Sequence, residues 1–235
     1  MISRRKALLQ TAAHAALLGG MAVFGVVTRA IAAERVGSAK DVVNMAWGTP
    51  PDAGRAELAA TSPVHRNELL ETDKESAVEV VFADESKLTM GQNAKVTVDE
   101  FVYADPATSR SVINLTKGAF RFVSGKMAED KVTLKTPTAT MVIRGTELKI
   151  DVADDGATEV SVIEGAIELT SLIAGTALSI ATGQSGLLNG SGAFDGGVRN
   201  FIHESPDSAV ELGLSELRSR LPIPGVPGLP DLPFP

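Results

Sequence analysis

"MVIRGTELKI", residues 141–150, alternates like a β-strand around a charged, glycine-broken centre. Met141, Val142 and Ile143 are apolar, and Leu148 and Ile150 resume the pattern after Arg144, Gly145, Thr146 and Glu147. Successive side chains of a strand point to opposite faces. Thr140, Val142 and Arg144 therefore share one face, and Met141 and Ile143 the other. Glycine inside a strand marks a bend, a bulge or a close backbone approach. A strand that turns mid-course, and carries a permanent charge at the turn, is the feature on which the fold rests.

The surrounding chain speaks the same language. "AVEVVF" (77–82), "KVTVDEF" (95–101), "SVINLT" (111–116), "AFRFVS" (119–124), "KVTLKT" (131–136), "TEVSVI" (158–163) and "AIELTS" (166–171) are short, rich in β-branched residues, and mostly alternate with period two. Such segments are strands with one buried face. "MGQNA" (90–94) and "DDG" (154–156) supply residues suited to positive-φ turns. Gly118, Gly165 and Gly183 each open a new alternation, in "KGAFRF", "EGAIEL" and "TGQSGLL", as strands do when they turn corners. Residues 36–188 are thus expected to form one all-β domain, either a short-stranded β-solenoid or an irregular β-sandwich.

The flanks differ. Arg4, Arg5 and Lys6 precede an apolar run from Ala15 to Val27, followed by the A-x-A sequence Ala30-Ile31-Ala32. That order is an export signal over residues 1–32, with cleavage between Ala32 and Ala33. Ser3-Arg4-Arg5 resembles a twin-arginine start, although Ala7 stands where phenylalanine is usual. Thirteen apolar residues are short for a membrane span, so the mature chain is expected to have none and to be periplasmic or secreted. Residues 183–200 are rich in glycine, serine and asparagine and read as a flexible loop, with a linker over 189–204. "SPDSAVELGLSELRSRL" (205–221) reads as a short helix capped by Ser205, with Pro206 at its first position. Residues 222–235 have proline every two to three positions and read as a disordered tail.

Composition limits the chemistry. The 235-residue chain has no cysteine, which removes disulfides, thiolate metal sites, cysteine nucleophiles and lipid attachment at a lipobox. Loss of the four basic residues of the signal leaves 18 Lys+Arg against 29 Asp+Glu, a net charge of −11. That balance argues against nucleic acid and anionic membranes as partners. His14, His65 and His203 stand in unlike contexts and do not form a metal site. "DVADDGATEVSV" places Asp151, Asp155 and Gly156 as an EF-hand loop would, but Val162 occupies the position of the bidentate glutamate, so it reads as a hairpin turn. No nucleophile elbow, P-loop or dinucleotide fingerprint is present. No cofactor is expected.

Five landmarks recur in a fixed order: "FADES…LTMGQNA", "VDEFVYADPAT", "KGAFRFVSGK", "TPTATMVIRGTE", and "VIEGAIELT" with "TGQ". Over residues 64–184 the chain resembles the FecR domain family. Glu85 departs from it, standing where the family usually has glycine. The resemblance implies an exported all-β module that senses or binds a protein partner in the envelope. It also marks Asp84, Gly91, Asn93, Gly118, Arg144, Gly145, Thr146, Glu147 and Gly165 as motif positions, structural or partner-binding. Only 14 residues precede the apolar run. The chain therefore resembles the exported half of the family's iron-dicitrate sensor, without its cytoplasmic arm.

Two roles are open for Arg144. As a structural residue it would fork onto Glu147, Asp84 or turn carbonyls and pin one turn to the next. As a binding residue it would stand on an exposed sheet face. The expected function is a non-enzymatic cell-envelope binding or signal-sensing module with a protein partner. A purely structural envelope or secreted component is the alternative, and an enzyme of unfamiliar type the third reading.

Overall fold

The computed structural model describes residues 33–104 and 108–200. Within them the chain is all-β, and fifteen strands join one hydrogen-bonded sheet. The strands are β1 (Arg35–Val43), β2 (Ala46–Thr49), β3 (Ala56–Glu57), β4 (Pro63–His65), β5 (Leu69–Thr72), β6 (Ala77–Phe82), β7 (Lys87–Met90), β8 (Lys95–Val102), β9 (Arg110–Val123), β10 (Val132–Lys135), β11 (Ala139–Val152), β12 (Thr158–Ser171), β13 (Ala177–Ala181), β14 (Gln184–Leu188) and β15 (Arg199–Asn200). The predicted helix over 205–221 and the proline-rich tail lie outside the described residues, as does the signal segment.

Three strands of 14 residues organise the sheet, and each bends at a glycine. The first half of β9 pairs with β8 and β10, while its second half, from Gly118, pairs with β7 and β11. β11 and β12 run together along their whole length and meet at their corners, Gly145 and Gly165. The sequence reading had split two of these strands, "SVINLT" from "AFRFVS" and "TEVSVI" from "AIELTS". They are single strands that turn without breaking.

The corner also changes parity. In β11 the buried residues are Ala139, Met141 and Ile143 before Gly145, then Thr146, Leu148, Ile150 and Val152 after it. β9 switches from Ile113 and Leu115 to Phe120 and Phe122, and β12 from Val160 and Val162 to Ile167 and Leu169. A shift of one residue would turn every apolar side chain to solvent. The extra residue of a bulge bends the strand and keeps both halves facing the same interior. Side chains from both arms of all three strands accordingly join one hydrophobic cluster, with Phe120, Phe122, Leu88, Met141 and Ile150 fully enclosed.

All ladders but the one between β9 and β10 are antiparallel. The architecture is a single, mostly antiparallel sheet around one core. The Gly-rich stretch from 183 is not a loose loop. Residues 184–188 form β14 against β12. Beyond it the Asn189 side chain accepts from the N–H of Ser191 (3.1 Å), the N–H of Ala193 (3.0 Å) and the hydroxyl of Ser191 (2.7 Å), which turns the chain back so that Phe194 bridges to Leu188. An asparagine that caps its own turn explains order in a segment without apolar periodicity.

Candidate functional site

Gly145, Thr146, Glu147 and Gly165 gather at the corner where β11 and β12 bend, beside the end of β9, whose own bend at Gly118 lies across from Val152 at the other end of the shared ladder. A Cβ on Gly165 would lie 2.4 Å from the Gly145 carbonyl oxygen and 2.7 Å from the Thr146 methyl, so the β12 backbone rests on the β11 corner. Both glycines have positive φ, +60° at Gly145 and +86° at Gly165. Thr146 is buried, and Ser124 clamps it. The Thr146 N–H donates to the Ser124 hydroxyl (2.7 Å), while the Ser124 N–H (2.9 Å) and hydroxyl (3.0 Å) both donate to the Thr146 carbonyl.

The next two residues of that segment seat the β6–β7 turn. A Cβ on Gly125 would lie 2.2 Å from the Asp84 carbonyl oxygen and 2.3 Å from the Ser86 nitrogen, and the Lys126 N–H donates to the Asp84 carbonyl at 2.7 Å. Asp84 is fully buried. Its Oδ1 accepts from the Ser86 N–H (3.0 Å) and hydroxyl (2.6 Å), closing the turn from inside. Oδ2 of Asp84 and Oγ1 of Thr146 are buried with no protein partner. Glu85 has a φ of +68°, the conformation for which the family prefers glycine, and its carboxylate pairs with the exposed Lys126 ammonium. The ion pair offsets part of the backbone cost of a glutamate in this position. Gly125 was missed as a motif position because its reason is spatial. Nothing in "FVSGK" indicates that a distant turn lies against its α-carbon.

The fork onto Glu147 exists, but from another arginine. Arg121 donates to Glu147 Oε1 from Nε at 3.0 Å and from Nη2 at 2.8 Å. Arg121 stands on β9 directly across from Lys149 of β11, one alternation from Glu147. Arg144 is exposed, and among the described residues it has no side-chain hydrogen bond and no ion pair. The expected structural fork from Arg144 to Glu147 or Asp84 is therefore not formed: Asp84 is enclosed by its own turn and Glu147 is taken by Arg121.

Two more knots hold "MGQNA" and "TPTAT". In "MGQNA", Asn93 adopts a φ of +51°, the Gly91 N–H donates to the Ala119 carbonyl (2.8 Å), and the buried Thr72 hydroxyl donates to the Gly91 carbonyl (2.6 Å). Gly118 lies so close to Ala94 that a Cβ would sit 2.6 Å from its α-carbon. In "TPTAT", the Thr158 hydroxyl donates to Thr136 Oγ1 (2.9 Å), the Thr138 hydroxyl donates to the Gly156 carbonyl (2.7 Å), and Thr136 Oγ1 accepts from the Ala139 N–H (3.0 Å). The "DDG" turn is the hairpin expected there: Asp155 Oδ1 accepts from the Ala157 N–H at 2.9 Å, and Val152 faces Thr158 across it.

His65 is not isolated. Its ring Nδ1 lies 2.9 Å from the buried Glu68 carboxylate, which also accepts the His65 N–H at 2.7 Å. His14 and His203 fall outside the described residues. Among the described residues, no three His, Asp or Glu side chains stand where they could hold a metal ion, and no helix is long and apolar enough to cross a membrane.

Buried corners, turn-closing side chains and close backbone approaches define the class: an all-β module whose motif residues build its scaffold. Residues 68–168 match the family model described as FecR protein. No curated protein sequence matches the chain. Among solved structures, two crystal structures of a candidate anti-sigma factor from Parabacteroides distasonis align with it, at 13% and 14% identity and TM-scores of 0.47 and 0.46. Each alignment covers 57% of this chain and 59% of the other, so the likeness spans little more than half of either protein.

Proposed function

We propose that the chain is a non-enzymatic sensing module of the cell envelope. Its N-terminal segment directs export, and the outer sheet face at Arg144 binds a protein partner. The match to a domain family named for a sensor supports the regulatory half of this reading. One observation carries the binding half. Most motif positions are committed to the fold through buried or backbone contacts, whereas Arg144 stands exposed and unpaired among the described residues.

The surroundings of Arg144 suit a contact. On the outer face it follows Thr140 and Val142 along β11, and Val142 lies across from Thr133 of β10 and Glu168 of β12. Val142 and Thr133 are half-buried and Glu168 is exposed. A β-branched strip beside a free guanidinium offers apolar area together with a rigid fork for a carboxylate of the partner. On a chain with an expected mature charge of −11, an exposed guanidinium suits an acidic partner.

Crosslinking followed by pull-down from an envelope extract tests the reading. The wild-type chain should capture a defined partner, and Arg144→Ala, equally well folded, should lose it. Equal capture by both proteins would remove Arg144 from the interface, and capture of nothing by either would favour the purely structural alternative. For export, N-terminal sequencing of protein from its host should begin at Ala33; an intact Met1 on a cytosolic species would overturn that part.

A further inference from the structure

We propose that β13 is a self-pairing edge, through which two copies of the chain join antiparallel about a two-fold axis at Ser179. Its sequence is the first observation. "TALSIAT", residues 176–182, reads nearly the same in both directions. Antiparallel pairing centred on Ser179 sets Thr176 against the partner's Thr182, Ala177 against the partner's Ala181, Leu178 against the partner's Ile180, and Ser179 against the partner's Ser179. A two-fold interface brings one surface patch against itself, and this strand is complementary to itself residue by residue.

The backbone is the second observation. β13 pairs with β12 on one side only. The Thr182 N–H donates to the Gly165 carbonyl, and the Thr176 carbonyl accepts from the Ser171 N–H. In an antiparallel ladder both polar groups of a residue point the same way and alternate along the strand. Even-numbered residues of β13 therefore face β12, and Ala177, Ser179 and Ala181 present their N–H and C=O groups outward. The Ala181 N–H is met by the Gln184 side chain at 3.0 Å. The outward groups of Ala177 and Ser179 have the alternation of a ladder and, among the described residues, no strand to receive it.

Guarding is the third. Proteins blunt exposed edges with proline, charge or brevity. β4 begins with Pro63, β3 has two residues, and β15 has two, one of them Arg199. β13 has five residues with no charge and no proline, and its outward side chains are alanine and serine. The turn leading into it exposes Leu172 (56%) and Ile173 (61%). Charge does not oppose the pairing. Glu168 is the nearest acidic residue in the row through Ser179. In the joined sheet the two Glu168 side chains are three strand spacings apart, about 14 Å, beyond the screening length of about 8 Å at physiological salt. A five-residue edge is a small interface, so the dimer should dissociate on dilution.

Sedimentation of the full chain across a dilution series tests the edge. The wild-type protein should shift from dimer to monomer as concentration falls. Ser179→Lys places two ammonium groups at the axis and should be monomeric throughout, with an unchanged circular dichroism spectrum and melting temperature, because Ser179 is exposed and its outward groups bond nothing within the fold. Ser179→Cys introduces the only thiol of the chain, and a short bismaleimide should link it to itself as a dimer. A wild-type chain that is monomeric at every concentration overturns the proposal. So does a dimer that survives Ser179→Lys, which would place the contact elsewhere.

Discussion

Arg121 and Arg144 lie close to the same bend, and the difference between them is what they touch. Arg121 is half-buried and forks onto Glu147 at 2.8 and 3.0 Å, whereas Arg144 is exposed and bonds neither Glu147 nor Asp84. Arg144→Ala should therefore leave stability within about 0.5 kcal/mol of wild type. Arg121→Ala should cost about 1 kcal/mol, since a partly exposed pair is screened. Denaturant unfolding of the two variants checks the order. A larger loss from Arg144→Ala would mean that the free guanidinium holds something within the fold. Sequence alone could not rank them, because alternation assigns a face but not a partner. The strand register, set by bulges in β11 and β12, decides which arginine meets Glu147.

At the scale of elements, the corner is the unit of construction, and its two glycines are unequal. A Cβ on Gly145 would meet nothing nearer than 4.0 Å, so Gly145→Ala should cost only its left-handed conformation, about 1–2 kcal/mol. Gly165→Ala meets the same strain and also drives a methyl into the Gly145 carbonyl, adding roughly 1–3 kcal/mol of overpacking. Thermal unfolding should show Gly165→Ala as clearly the worse of the pair; equal losses would mean that β12 does not rest on β11 at the bend. The corners were legible as strand-embedded glycines in "RGTEL", "EGAIEL" and "KGAFRF". β1 was not legible. Its register slips between Ala39 and Asp41 against β6, and the slip scrambles the alternation that marks a strand. β13 was not among the segments read as strands, and β14, though an alternation opens at Gly183, was assigned to a flexible loop because its stretch is rich in glycine, which carries little strand propensity.

The β11–β12 hairpin carries its own pH dependence. Asp151 lies directly across from Glu159. Withdrawal from solvent, and next the Glu159 carboxylate, push its carboxyl above the ordinary carboxylate range, while Lys149 pulls weakly the other way. A carboxyl whose folded value is raised favours the folded state when protonated. Its contribution is present below the unfolded value, about 3.9, and is lost as pH rises through the folded value. Asp151→Asn should then be more stable than wild type at pH 7, with the advantage shrinking as pH falls toward about 4 and in high salt. An advantage independent of pH would point to packing rather than charge.

For the whole molecule, one core and long-range pairing determine how the chain folds and fails. The hydrophobic cluster runs without a break from Val36 of β1 to Leu188 of β14, through both arms of every bent strand. The sole tryptophan, Trp47, sits on β2, between β3 and β5 in the branch formed by β3, β2, β5 and β8. It is held by its indole N–H to Asp73 (3.1 Å) and by the Arg55 guanidinium 4.3 Å from its ring centre. That branch reaches the rest of the sheet only where β8 pairs with β9, but its buried residues Ala46, Leu70, Val96 and Val98 belong to the common core. Unfolding should therefore be a single cooperative event. Trp47 fluorescence and far-ultraviolet circular dichroism should give coincident denaturant transitions with the same midpoint and slope. Refolding should fall in the slow, millisecond-to-second range of sheets built from distant pairings, since β9 must find β7, β8, β10 and β11 before its corner closes. A fluorescence transition at lower denaturant than the dichroism would show the β2 branch melting alone. In that case the shared core would not suffice to couple it to the bent strands, and the corner at Gly118, which rests on Ala94 where β8 begins, would be the joint that gives way.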